Sequence, residues 1–161
     1  MFYPMRRGGQ QLPQQQALQI LQRGSAGVLA LMGPNGYPYA LPISYVYTDG
    51  AIYFHSATAG HKIQAIQHCP RASFCVIDRD QVVPQQYTTY YASAIAFGTV
   101  QIVQDNAQRL AALTALGQKY APGQGQKALQ AEIDATGRGA AVLKFTIQHL
   151  TAKAARELVE K

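Results

Sequence analysis

Apolar and polar positions recur along the chain with two different periods, and the changes of period divide it into elements. Over 13–23 the residues Ala17, Leu18, Ile20 and Leu21 fall at three-to-four-residue spacing, with Pro13 at a tolerated first-turn position and Gly24 at the end. This predicts a short amphipathic helix. The apolar run 25–32 reads as a strand, and Asn35-Gly36 supplies the positive backbone angles of a tight hairpin. The returning segment 37–47 is rich in Tyr, Ile and Val. Pro38 and Pro42 each remove a backbone donor from it, which suits an edge or a bulge. Thr48-Asp49-Gly50 makes the next turn and 51–55 a third strand.

From Gly60 to Cys69 the residues Ile63, Ala65 and Ile66 return to helical spacing, and Pro70 stops the pattern. Residues 71–80 alternate as a strand, and the proline-containing stretch to Gln86 reads as a loop. The longest strand is predicted over 88–103. Tyr91, Ser93, Ile95, Phe97 and Thr99 fall on one face and Ala92, Ala94, Ala96 and Val100 on the other, with Gly98 marking a bulge or a close backbone approach. Both faces are substantially apolar. Asp105 is placed to cap a helix over 106–119 whose stripe is Leu110, Ala111, Leu113 and Leu116. A weaker helix follows over 126–135 and a last strand over 139–150. About six strands in hairpin order with short helices predict an antiparallel sheet or barrel of the α+β class.

Composition narrows this. A length of 161 residues and 48% apolar content describe one domain over 1–161, with 1–10 read as a tail or a dimer arm. Such a chain can build its core without disulfides or a structural metal. Its two cysteines, Cys69 and Cys75, have no CxxC spacing, and no run approaches the ~18 apolar residues of a membrane span. There is no apolar segment behind Arg6-Arg7, so the expected setting is the cytoplasm, away from any membrane. Fourteen basic against eight acidic residues leave a charge of +6, although only 14% of residues are charged. The basic residues are scattered, which disfavours nucleic acid; a small anionic ligand or simple solubility explains the sign.

Candidate chemistry is densest over 54–68. A strand ends in His55-Ser56, and a small-residue turn leads to His61-Lys62 at the start of a helix. Free N–H groups at a helix N-terminus, with a hydroxyl and an ammonium beside them, form a phosphate cradle. The alternative is that Ser56 and Thr58 cap the helix and Lys62 is solvated. Three histidines and a cysteine within 55–69 match no zinc spacing, so no metal is expected. There is no nucleophile elbow, no Rossmann fingerprint and no P-loop. What remains suits a protein that holds a cofactor.

The motifs G-Y-P-Y at 36–39, Y-F-H-S at 53–56, G-H-K at 60–62, C-P-R-x-S-F at 69–74, Y-x-S-x-x-x-F-G at 91–98 and L-T-A-K at 150–153 stand in order. Together they resemble the FMN-binding split-barrel family related to pyridoxamine 5′-phosphate oxidase, most of all its nitroimidazole resistance branch. The resemblance implies a six-stranded antiparallel split β-barrel that forms a homodimer with FMN at the subunit interface. It implies flavin contacts from Pro42, Ile43 and Ser44, from the strand-end residues His55 and Ser56, and from Ser93 in the long strand. His61 and Lys62 match the phosphate clamp, with His61 where arginine is common. His55 corresponds to the branch's strand-end histidine, which implies a part in reducing a small-molecule acceptor. Its other reading is a residue that only hydrogen-bonds its neighbours. Tyr39, Tyr45 and Tyr91 belong either to the pocket or to core and interface. The basic C-terminal motif of the true oxidase is not apparent, so vitamin B6 oxidation is disfavoured. A flavin- or haem-binding module without turnover, and an oligonucleotide binder, are the other readings.

Overall fold

The computed structural model describes residues 1–159. Seven strands form one antiparallel sheet: β1 (Ala26–Met32), β2 (Pro38–Ser44), β3 (Val46–Thr48), β4 (Ala51–Ala57), β5 (Arg71–Val83), β6 (Thr88–Ile102) and β7 (Ala140–Ala154). Four α-helices accompany them: α1 (Gln14–Arg23), α2 (His61–His68), α3 (Asn106–Tyr120) and α4 (Gly125–Thr136). The strand order is β2-β1-β5-β6-β7-β4-β3. Consecutive strands β2 and β3 thus form the two outer edges, with only Tyr45 between them. One residue spans at most about 7 Å between its neighbours' Cα atoms, so the edges must meet and the sheet must curl into a barrel split between β2 and β3.

The expected class is therefore observed with seven strands instead of six, because the segment 37–47 breaks at Tyr45. The Tyr45 side chain is fully buried, and its hydroxyl donates to the Leu21 carbonyl at 2.8 Å. Its backbone bonds to side chains from the end of α3 in place of a neighbouring strand. The Tyr45 N–H donates to the Tyr120 hydroxyl at 2.8 Å, and the Lys119 ammonium donates to the carbonyls of Tyr45 and Gly24 at 3.0 and 2.6 Å. Lys119 Nζ also lies 4.1 Å from the centre of the Tyr45 ring. The end of α3 pins the split.

Three strand pairs are hairpins, but β1–β5, β4–β7 and β6–β7 join residues far apart in sequence. The fourth strand of the sequence reading runs on to Val83, which shortens the expected loop to residues 84–87. Along β6, Ala92, Ala94, Ala96, Gly98 and Val100 face inward, while Tyr91, Ser93, Ile95 and Thr99 are half-exposed and Phe97 is exposed. The small inward residues leave room for Phe54, Phe74 and Phe145, which share the barrel core with α1 and α2. At Gly98 a Cβ would lie 2.0 Å from the Thr146 carbonyl, beside the register shift between β6 and β7. Only glycine permits that approach.

A second, smaller apolar cluster lies outside the barrel, where α3 packs on Val46, Ala51, Tyr53 and Val142. Its helix face is rotated from the expected one: Leu116 is buried and Leu113 packs beside it as expected, but Ala112 is buried in place of Leu110 and Ala111, which are exposed. The Asp105 cap is formed, its carboxylate accepting from the Gln108 N–H at 2.6 Å. The N-terminal residues lie on β7: the Leu12 N–H donates to the Ala152 carbonyl, and the Phe2 ring stacks on His149. Among the described residues, no helix is long and apolar enough to cross a membrane.

Candidate functional site

Alternation along β2 and β4 decides where the site residues point. On β2, Pro42 and Ser44 face outward and are exposed, whereas Ile43 packs against the core with Tyr39 and Leu41. A ligand on the outer face therefore meets the side chains of Pro42 and Ser44, and only the backbone of Ile43. The same alternation separates His55, exposed on β4, from Ser56, which is buried. The Ser56 hydroxyl donates to the Ala57 carbonyl at 3.0 Å.

The turn after β4 leads directly into α2. The expected cap is not formed, since the N-cap is Gly60, at φ 110°, and no side chain bonds to the first turn. Neither Ser56 nor Thr58 covers it. The N-terminal N–H groups of α2 are thus free of side-chain partners, and they carry the positive end of the helix dipole. Lys62 lies half-buried at that end. Burial lowers its pKa, and among the described residues no carboxylate pairs with it; the one ion pair found is Arg23–Asp78 at 2.5 Å. An ammonium held partly out of water without a counter-ion is a place for an anion. His61 stacks on Tyr39 with ring centres 4.2 Å apart, which ties the start of α2 to the β1–β2 hairpin.

Ser44 and His55 come together at a cleft of about 330 Å³ between the sheet and the helix pair α3–α4. Leu113, Leu116, Leu129 and Ile133 form its apolar walls, with Glu132 and Thr136 from α4 also lining it. Sequence reading missed these helix residues: they stand more than fifty positions from His55, and nothing in their spacing marks them as more than an amphipathic face. The other predicted residue, Ser93, is half-exposed in the middle of β6, paired with Ile77 and Lys153. Three strand spacings separate β6 from β2, so Ser93 lies ~14 Å across the sheet from the β2 residues. One chain does not bring Ser93 to the Ser44–His55 cleft. Tyr45 is core rather than pocket, and Tyr91 lies beneath Lys153 at 5.5 Å.

The two cysteines have opposite environments. Hydrogen bonds from the Arg71 backbone and side chain hold the Cys69 thiol below its ordinary pKa, while burial pushes Cys75 up. At neutral pH a disulfide-exchange reagent is expected to modify Cys69 about tenfold faster or more. Cys69→Ser should abolish the fast phase; two equal phases in the parent protein would contradict this assignment.

Among the described residues, no group of three or more His, Cys, Asp or Glu is placed to hold a metal ion. The model of the pyridoxamine 5′-phosphate oxidase family matches residues 13–154. No curated protein matches the sequence. Among solved structures, a candidate 5-nitroimidazole antibiotic resistance protein from Bacteroides thetaiotaomicron is 22% identical, with 89% of this chain and 86% of that one covered and a TM-score of 0.75. A conserved hypothetical protein from Mycobacterium tuberculosis is 16% identical over 98% and 95% of the two chains, with a TM-score of 0.82. An FAD- and haem-binding protein from Mycobacterium smegmatis is 22% identical over 91% and 73%, with a TM-score of 0.71.

Proposed function

The chain belongs to the pyridoxamine 5′-phosphate oxidase family, and from that premise we propose that it is a flavin-dependent oxidoreductase that reduces a small nitroaromatic acceptor, with FMN the flavin favoured. The observation that carries this reading is the half-buried, uncompensated Lys62 beside the uncapped start of α2. That donor set suits a phosphate. Lys62 and the α2 amides would hold the flavin phosphate; Pro42, the Ile43 backbone and Ser44 would border the ring system. A bound flavin in its reduced form would supply two electrons and one proton to the acceptor. His55 orients the acceptor and holds a proton at its imidazole N–H for delivery to the nitro oxygen. Reduction of a nitro group to nitroso consumes two electrons and two protons and releases one water.

A second copy of the chain completes the proposal. The outer face of β5 and β6 exposes Ile77 at 63% and Phe97 at 38%, with Cys75 and Ile95 half-exposed between them. Such a face suits another protein surface. In a homodimer formed there, Ser93 serves a flavin held on the other subunit, which accounts for its distance from Ser44.

The test is anaerobic. Flavin-loaded protein reduced with dithionite and mixed with a 5-nitroimidazole should be reoxidised, with loss of the nitro chromophore. His55→Ala, compared at saturating flavin, should slow reoxidation by roughly 10²-fold. Reduced flavin that ignores the nitro compound would count against an oxidoreductase of this kind. A cofactor carrier without turnover would then stand, a reading that the FAD- and haem-binding neighbour favours; a Soret band would identify haem.

A further inference from the structure

We propose that the cleft between α3–α4 and the Ser44–His55 edge of the barrel is the acceptor site, and that it takes a single-ring arene bearing one polar substituent and no negative charge. The inference rests on the flavin reading above and deepens it by naming what the second substrate must look like. The volume of about 330 Å³ stands at the lower end of small-molecule sites, enough for a substituted ring and too little for a whole flavin nucleotide. Leu113, Leu116, Leu129 and Ile133 supply apolar walls from two helices, facing the strand surface opposite.

The polar groups are few and unequal. Tyr120 lines the cleft, but its hydroxyl is occupied with the backbone of Tyr45 and Ser25. The Ser44 hydroxyl and the His55 imidazole make no side-chain hydrogen bond among the described residues, so both are available at the barrel end to a nitro or carbonyl oxygen. Glu132, exposed on α4, is the one acidic side chain lining the cleft. It repels a carboxylate and leaves a neutral ring unaffected. The ligand is therefore polar at one end and carries no negative charge.

The wall formed by α4 sets the size. None of the twelve residues of α4 is buried, and its main support is α3. There Leu129 lies over Gly117, where a Cβ would stand 2.2 Å from Leu129 Cδ1. Glycine inside a helix costs about 1 kcal/mol relative to alanine, and here it lets Leu129 close the cleft. Because α4 contributes nothing to either buried cluster, its cleft-facing residues can be changed without removing core.

The experiment is saturation-transfer NMR and titration with nitrobenzene, 4-nitrobenzoate and 1-nitronaphthalene, on the full chain with and without added FMN. Nitrobenzene is expected to bind, and 4-nitrobenzoate more weakly; Glu132→Gln should narrow that gap by about threefold, the scale of one exposed charge interaction. Leu129→Trp, which fills the cleft, should weaken nitrobenzene at least tenfold with flavin absorption unchanged. Ile133→Ala, a milder change, should admit 1-nitronaphthalene, which the parent protein excludes. Arene binding that persists in protein unable to hold FMN would support the cleft while refuting the flavin reading. Intact flavin binding with arene affinity indifferent to Leu129, Glu132 and Ile133 would overturn the cleft and leave the flavin reading in place.

Discussion

Lys62→Ala is expected to lower FMN affinity by roughly 10- to 150-fold, equivalent to one charge-assisted hydrogen bond of about 1.5–3 kcal/mol. Riboflavin, which lacks the phosphate, is the internal comparison: its affinity should barely move in Lys62→Ala. Lys62→Arg should retain most FMN binding. The pH dependence follows from the same group. Burial depresses the Lys62 pKa below its ordinary 10.5, and only the charged form attracts the phosphate. FMN affinity should therefore be full at neutral pH and fall as pH rises through that lowered value, while riboflavin affinity shows no such fall. Equilibrium dialysis of both flavins across pH measures this. Equal losses for FMN and riboflavin in Lys62→Ala would place the phosphate elsewhere.

Phe74→Ala is expected to destabilise the fold by about 3–5 kcal/mol, the usual cost of emptying a buried aromatic site. Phe74 is fully buried and meets Tyr45 and Phe54 edge-on, with ring centres 4.8 and 5.1 Å apart. It also lies under Gly27, where a Cβ would be 2.4 Å from its Cζ. The aromatic cluster thus joins β1, β4 and β5 to the Tyr45 joint. Against a total stability of about 5–15 kcal/mol, the loss is a large fraction. Urea unfolding measures it. Phe97→Ala is the control, because Phe97 is exposed on the outer face and its truncation should cost far less in the isolated chain. Equal costs for the two would mean that the outer face contributes as much to the fold of one chain as the barrel interior does.

The sequence carried most of the fold because the periods are clean where burial is one-sided. The helices of 13–23 and 60–69 appear within a residue or two of their expected ends. The two-faced apolar pattern of 88–103 became a barrel strand with alanines inside and a half-exposed apolar face outside. The break at Tyr45 was not legible, because it depends on Lys119 and Tyr120 some 75 residues away. The α3 face was misjudged for a related reason. Leu116 and Leu113 of the expected stripe do pack on the sheet, but only the position of Val46, Tyr53 and Val142 selects Ala112 in place of Leu110 and Ala111. For the site, residue types and order marked His55, Ser56, His61 and Lys62, and the family resemblance added Ser44, but alternation had the last word. It turned His55 and Ser56 to opposite faces and Ile43 into the core.

The central claim is that this barrel carries a flavin, and its most direct test is the visible absorption spectrum of freshly isolated protein, followed by mass spectrometry of whatever heat releases. The account predicts a yellow protein that releases FMN, or one isolated colourless that turns yellow and retains FMN when it is supplied. A colourless protein that ignores added FMN and FAD would contradict it.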